Sequence, residues 1–347
     1  NPKGIMHSHA SGLAFARNAV ARYGLSEDDV FGNHAPIYFD ISQLAYFASP
    51  LVGGTAVVAT DAETIFPASL GQLIARERVT VWYSVPLAIS QLLGGALPEA
   101  LDLSALRRVF YAGEPLAPRY IRQLMARCPQ VAVSNWYGPA ETNVCTCYDL
   151  PGPPVGDEPI PLGEVWQNTA RMIVGEDDQP VAPGEAGELV IRSTTSMLGY
   201  WNNPERNQRA WLVPDPAWPS VRYYRTGDRA RIDPDGLLHF LGRADHQVKV
   251  RGYRVELGAV ETVLLANPDV REAVAFTLPQ HDGTLAIFAA VIPSSDAVDD
   301  SSIKRQLEEA LPWYAVPKSI FLRASLPRTG SDKVDRPALL AELSLIE

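Results

Sequence analysis

The sequence predicts an α/β protein: a helix-covered, mostly parallel sheet, a small β-barrel-like unit, and a separate C-terminal α+β domain. Three observations lead there. Short β-branched or aromatic runs alternate with helical stretches over residues 1–150, as buried parallel strands and their crossover helices do. After Pro151-Gly-Pro-Pro154 the texture changes to short strands separated by turn signals through 151–244. From 246 to 347 amphipathic helices alternate with longer apolar strands. A length of 347 residues exceeds the roughly 100–200 typical of one domain, which also favours several.

The elements follow in chain order. Residues 11–23 read as a small-residue helix. Residues 56–59 (Ala-Val-Val-Ala) and 79–83 (Val-Thr-Val-Trp-Tyr) read as buried strands, with helical spacing across 70–78 between them. Residues 108–112 form a strand running into Gly113, and Pro118 opens a helix to 127. Strands follow at 170–174, 187–192, 230–232 and 237–241, the last two joined by the turn Asp233-Pro-Asp-Gly236. The last part predicts a helix at 255–266, strands at 270–279 and 285–292, and a helix at 301–311.

Composition narrows the class. Hydrophobic residues are 46% and charged residues 20%, the balance of a globular protein that does not live in a membrane. A formal net charge of -10 argues against nucleic acid or an anionic membrane as partner. No apolar run approaches the roughly 20 residues that span a bilayer. The cysteines are Cys128, Cys145 and Cys147; so odd and sparse a set is no disulfide framework and points to a reducing compartment, the cytoplasm. Cys145-Thr-Cys147 lacks the two-residue gap of a zinc knuckle. The chain opens on Asn1-Pro-Lys-Gly4, with neither an initiator Met nor a signal peptide, and reads as the middle of something.

Five short motifs could carry chemistry. Pro2-Lys3-Gly4, followed by His7 and His9, is also an ordinary surface turn. In Tyr137-Gly-Pro-Ala-Glu-Thr142 a turn places Glu141 beside a hydroxyl, where a carboxylate could share Mg2+ with phosphate oxygens; it is also an acidic helix start. Asp228 of Tyr224-Arg-Thr-Gly-Asp228 could accept ribose hydroxyls or simply belong to a hairpin loop. Gly242 and Gly252 bracket Arg243, Lys249 and Arg251, a hinge with anion-binding side chains or a solvated basic loop. Lys333 lies in a loop rich in small residues from which it could reach a phosphate.

Their order and spacing resemble the adenylate-forming superfamily, and most closely its amino-acid adenylation domains of the nonribosomal peptide synthetase type. The residues that carry the resemblance are Pro-Lys-Gly, Phe39-Asp40, Tyr-Gly-Pro-x-Glu-Thr, Gly187-Glu-Leu, Thr-Gly-Asp, Gln247-Val-Lys-Val-Arg-Gly-Tyr-Arg-Val-Glu-Leu-Gly258 and Leu311-Pro-Trp-Tyr-Ala-Val-Pro317. It covers the whole chain. It implies an AMP-forming ligase that joins an amino acid to AMP, releases pyrophosphate, and passes the acyl group to a phosphopantetheine thiol on a peptidyl or acyl carrier protein. ATP and Mg2+ are the implied cofactors.

The resemblance also assigns residues. Lys333 would bridge substrate carboxylate and phosphate, Thr142 would lie near the α-phosphate, and Lys249 would face the site in the thiol step. Lys3, Gly113, Glu114, Pro115, Tyr137, Gly138, Asp228 and Arg243 would hold the nucleotide, Glu141 the metal. Asp245 would be the hinge. Asp40 would pair with the α-ammonium, the alternative being a helix N-cap. Ile41, Leu44, Tyr83, Phe110, Ala112, Trp136, Val144 and Cys145 would line the rest of the pocket. None of these is charged at neutral pH, so an apolar side chain is expected. The set resembles that of stand-alone prolyl adenylating enzymes, with Ile41, Phe110 and Trp136 where that pattern has leucines. Asp332 stands where the family usually has Gly, which puts a negative charge beside Lys333. The family has a further N-terminal half-domain and a phosphate loop of which only Lys3-Gly4 are present, so a truncated chain is expected. The rival readings are an acyl- or aryl-CoA ligase of the same fold, and a non-catalytic remnant that binds nucleotide or carrier.

Overall fold

The computed structural model describes residues 3–93, 98, 101–243, 247–280, 284–294, 300–328 and 334–343. Asp245 and Lys333 lie outside the described residues. The chain divides into two compact units, Asn1–Ala244 and Asp245–Glu347.

The first unit is built on a seven-stranded sheet. Its order is Thr55–Val58, Val30–Asn33, Val81–Ser84, Arg108–Ala112, Ala132–Tyr137, Thr146–Asp149 and Glu164–Val165. The first five run parallel and the last two are added antiparallel. Alternate residues of these strands feed two cores, because side chains on a strand point to opposite faces. Trp82, Val109, Tyr111 and Val133 pack with Leu70, Ile74, Ile121 and Leu124 from the helices Pro67–Arg76 and Pro118–Arg127. Both helices carry Pro in their first turn, where a missing N–H costs nothing. On the other face Val81, Tyr83, Phe110, Ala112 and Trp136 pack with Phe15, Ala16, Ala19 and Tyr23 of the helix His9–Tyr23. That helix starts on a Ser8 capping box and stops at Gly24 in the left-handed conformation.

The sheet departs from the sequence reading at five strands: Thr146–Asp149 and Glu164–Val165 are absent from that reading, and the other three have a visible cause. The run expected as a buried strand near 56–59 is the edge strand Thr55–Val58, with three of four residues exposed. Val30–Asn33, inside the sheet, is absent from the reading because Gly32 and Asn33 break the β-branched pattern. Gly32 is needed there: a Cβ would lie 2.5 Å from the Trp82 ring. Ala132–Tyr137 was hidden by Ser134 and Asn135, both buried.

Asp29 stitches three strand starts. It is 2% exposed and accepts from the Arg107 guanidinium, from Thr80 Oγ1 at 2.7 Å and from the Ser26 N–H at 2.9 Å. Burial pushes its pKa up, but Arg107, Ser26 and Thr80 together hold it below the usual carboxylate range. Its stabilisation is therefore present above about pH 4 and is lost as pH falls below that. Asp29→Ala is expected to cost about 3 kcal/mol, the lower end for breaking a buried pair because Arg107 is partly exposed. Urea unfolding at pH 7 checks this: the midpoint should fall with the slope unchanged.

A five-stranded antiparallel sheet completes the unit, ordered Trp211–Leu212, Tyr223–Ile232, Gly187–Ser193 and Thr169–Val174, with Leu238–Arg243 also pairing to Tyr223–Ile232. The Asp233–Gly236 turn joins two of these strands, with Gly236 at φ 83° and its N–H on Asp233 O at 3.0 Å. A short ribbon pairs Ile5–Met6 with Gly199–Tyr200.

The second unit has a three-stranded sheet, Val270–Pro279, Leu285–Pro293 and Ser319–Leu322, with the last pair parallel. Helices Leu257–Leu265 and Asp300–Ala310 serve the core on one face. Arg336–Leu343 serves the other. The basic stretch after 246 is the hairpin Gln247–Val250/Tyr253–Glu256. Arg251 and Gly252 at its tip both have positive φ, as a tight hairpin turn with the native twist requires. All three cysteines are free and buried. Among the described residues no helix is long and apolar enough to cross a membrane.

Candidate active site

Strand register brings together several of the residues expected to line an amino-acid pocket. Tyr83 lies beside Phe110 and Ala112 beside Trp136 across adjacent parallel strands. Being two apart on one strand, Phe110 and Ala112 share a face. Ile41, Leu44 and Val144 join them in the same buried cluster. Cys145 does not: it stands at the end of the turn before the Thr146–Asp149 strand and packs with Leu162, Ile173 and Leu189 in another core. Burial pushes its thiol up to about 12.

Asp40 is the half-buried first residue of a 3₁₀ turn, Asp40–Ser42, whose cap position is Phe39. It does not act as the N-cap. Burial and then the negative charge of Asp40 drive the Tyr83 phenol well above its ordinary pKa, so the carboxylate is felt at the apolar cluster. Asn143 Nδ2 donates to Gln43 Oε1 at 2.7 Å and ties this turn to the Tyr137–Val144 loop.

Of the residues expected to hold the nucleotide, Tyr137 and Arg243 converge on a third, Asp228. The Tyr137 hydroxyl donates to one carboxylate oxygen and the Arg243 guanidinium to the other. Asp228 faces Arg243 in the antiparallel register, and its N–H is held by Thr226 Oγ1 at 3.0 Å. Gly113, at φ 103°, ends the Arg108–Ala112 strand with open space around it, and Glu114 and Pro115 follow. Trp201 N–H bonds Gly4 O at 2.7 Å, which sets Lys3-Gly4 against the ribbon.

Residues 138–145 form a turn between antiparallel strands, and Glu141 stands in it rather than at a helix start. Gly138 is obligatory: a Cβ would lie 1.6 Å from Asn143 O. Glu141 and Thr142 are fully buried. Tyr200 donates to Glu141 Oε1 at 2.7 Å, and its hydroxyl meets that of Tyr224 at 3.1 Å. Burial, followed by the Glu141 charge, raises the Tyr200 phenol far above its ordinary pKa. The Thr142 hydroxyl lies 3.3 Å from Pro139 O and from Asn143 O. Among the described residues no group of three or more His, Cys, Asp or Glu side chains could hold a metal alone. A single buried carboxylate fits Mg2+, which binds through one or two carboxylates and fills its remaining positions with water and phosphate oxygens.

Lys249 stands on the Gln247–Val250 strand of the second unit. The sequence reading gives no role to Tyr200, or to Tyr224 although it opens the Tyr224–Asp228 motif; Gly199-Tyr200 carries no spacing that marks it.

Against this geometry the chain matches the AMP-binding enzyme family over residues 1–201 and the AMP-binding enzyme C-terminal domain over residues 259–333. The chain belongs to the AMP-binding enzyme family. Among similar members, an L-proline--[L-prolyl-carrier protein] ligase of Pseudomonas fluorescens is 34% identical over 345 residues, 99% of this chain and 66% of the ligase. The AMP-binding fold recurs in the crystal structure of IdnL1, with a TM-score of 0.85 and 31% identity over 94% of this chain and 67% of that one. It recurs also in holo-PA1221, an NRPS protein containing adenylation and PCP domains, with a TM-score of 0.76 and 29% identity over 91% of this chain and 54% of that one. This AMP-binding chain thus spans about two thirds of the length of the ligase and of IdnL1.

Proposed function

We propose that the chain carries an AMP-forming ligase that adenylates an apolar amino acid, L-proline first among the candidates, and passes it to a carrier-protein thiol in the cytoplasm. The observation that carries this reading is Asp40: a half-buried carboxylate next to Ile41 of a buried cluster, whose charge reaches Tyr83 within that otherwise apolar cluster. Such a site suits a zwitterion with one ammonium and an uncharged side chain. The names of the ligase and of PA1221 support the carrier partner.

In the proposed reaction a carboxylate oxygen attacks the α-phosphorus of ATP. An acyl–phosphate bond forms, the bond to pyrophosphate breaks, and charge grows on phosphate oxygens. The thiolate of phosphopantetheine then attacks the acyl carbon and AMP leaves. Asp228, with Tyr137 and Arg243 attached, holds the ribose hydroxyls, and Tyr137 lies by the adenine. Lys3, Gly113, Glu114, Pro115 and Gly138 complete the nucleotide set. Mg2+ on Glu141 would neutralise phosphate charge; Tyr200 fixes that carboxylate before the nucleotide arrives, so little reorganisation remains at the moment of reaction. Lys333 bridges carboxylate and phosphate, and Asp245 is the pivot that brings Lys249 to the thiol step.

The test is pyrophosphate exchange by the complete enzyme over the standard amino acids plus pipecolate and azetidine carboxylate, for wild type and Trp136→Leu. Small or cyclic apolar amino acids should lead. Lys, Arg, Asp and Glu should fail, because a second buried charge would find no partner. Preference for an acid without an amino group would overturn the reading.

A further inference from the structure

The Trp136 indole is tethered as well as packed. It is 1% exposed, stacks on Phe110 with centroids 4.0 Å apart, and meets Tyr83 at 4.8 Å. Both rings belong to the pocket set. Its N–H donates to the Tyr23 hydroxyl at 2.9 Å, and that hydroxyl donates to Asp149 Oδ1 at 3.0 Å. Asp149 also accepts from Ser134 Oγ at 2.6 Å and from Arg22 at 2.8 Å. Ser134 pairs with Asp149 in the antiparallel register and lies two residues before Trp136, on the same face of the same strand. The bonds therefore close a circuit: Trp136, Tyr23, Asp149, Ser134, and back along the strand to Trp136.

We infer that Tyr23 and Asp149, neither of them in the pocket set, position the Trp136 indole and thereby fix the depth of the amino-acid pocket. The inference rests on the proposed amino-acid activation. A buried indole N–H needs an acceptor, so a tryptophan here calls for the hydroxyl at 23. With that bond in place the ring is held edge-on by Tyr23 and face-on by Phe110. A bulky side chain cannot turn it aside, and the wall excludes by shape. Without the bond the ring is held by packing alone against Phe15, Tyr83, Phe110 and Trp166, and a larger substrate side chain can displace it and deepen the pocket. Tyr23 and Asp149 are positioning residues for specificity, and the substrate class that this wall admits is a short or cyclic apolar amino acid.

The test uses Tyr23→Phe, which keeps the ring and removes only the hydroxyl, with Asp149→Ala as a second variant that leaves Tyr23 without its acceptor. Pyrophosphate exchange by the complete enzyme is read over an apolar series from alanine to phenylalanine, including proline and pipecolate. Tyr23→Phe should lower the ratio of kcat/KM between the preferred amino acid and its next larger homologue about tenfold, the scale of one methylene in an apolar pocket. The loss should fall on KM, with kcat for the preferred substrate little changed. Asp149→Ala should shift the ratio the same way by less. The indole N–H signal that Trp136→Phe removes from the 1H–15N spectrum should move in Tyr23→Phe. In a Trp136→Phe background Tyr23→Phe should add nothing, the non-additivity expected of one circuit. An unchanged ratio in a folded variant, an unmoved indole signal, or a full effect without Trp136 would each overturn the inference. Should the wild type activate an acid lacking the amino group, the proposed function falls. The same variants, run on homologues of that acid, then decide the role of Tyr23 separately.

Discussion

Asp40→Asn should lower kcat/KM for the preferred amino acid by about 10²–10³-fold, equivalent to roughly 3–4 kcal/mol, the lower part of the range for removing one partner of a buried charge pair because Asp40 is half-buried. The substitution keeps the size of the side chain and the first residue of the Asp40–Ser42 turn. The loss would therefore report charge and not collapse of the loop. The deamino analogue of the same acid should be activated at least as well by the variant as by wild type, since it never used the carboxylate. The crossing of the two activities is the decisive measurement. Equal losses on both acids would mean that Asp40 supports the turn and does not read the ammonium.

Lys333→Ala in the complete enzyme should slow adenylation by about 10²–10³-fold while nucleotide binding falls much less. That is the scale for deleting one electrostatic stabiliser that acts only as charge develops. Single-turnover formation of acyl-AMP, read beside equilibrium ATP binding, separates the two quantities. An unchanged rate would remove Lys333 from the mechanism. Asp332 beside it gives a second handle, because Asp332→Gly would take away the neighbouring negative charge and let the lysine's full field act on the phosphate.

How much of this was legible in the sequence differs from residue to residue. The strands Val81–Ser84 and Arg108–Ala112 showed themselves because both faces are buried and the apolar run is unbroken. The helix Pro118–Arg127 showed itself through its Pro start and its buried Ile121, Leu124 and Met125. Val30–Asn33 did not, since Gly32 is dictated by the Trp82 ring on the neighbouring strand, a long-range contact that local propensity cannot see. The site followed the same division. Tyr137, Asp228 and Arg243 sit in motifs whose order could be read, and the fold brings them onto one carboxylate. Tyr23 and Tyr200 act through hydroxyls that reach across 113 and 59 residues, and nothing near either in the chain signals a partner. Cys145 is expected beside its neighbour Val144, yet at the end of the 138–145 turn the two side chains enter different cores, which no local spacing announces.

The buried cysteines open a practical route to the motion expected about residue 245. A thiol reacts as its thiolate, and burial withholds that form: Cys128 is raised, Cys147 is pushed up to about 11 and Cys145 to about 12. The native thiols of the folded protein should therefore react slowly with maleimides at neutral pH. A single cysteine engineered on the exposed face of each unit could carry a donor and an acceptor dye without first removing any native residue. The distance between dyes could then be followed through the catalytic cycle, and delayed labelling of the native thiols would report any molecules that had unfolded along the way.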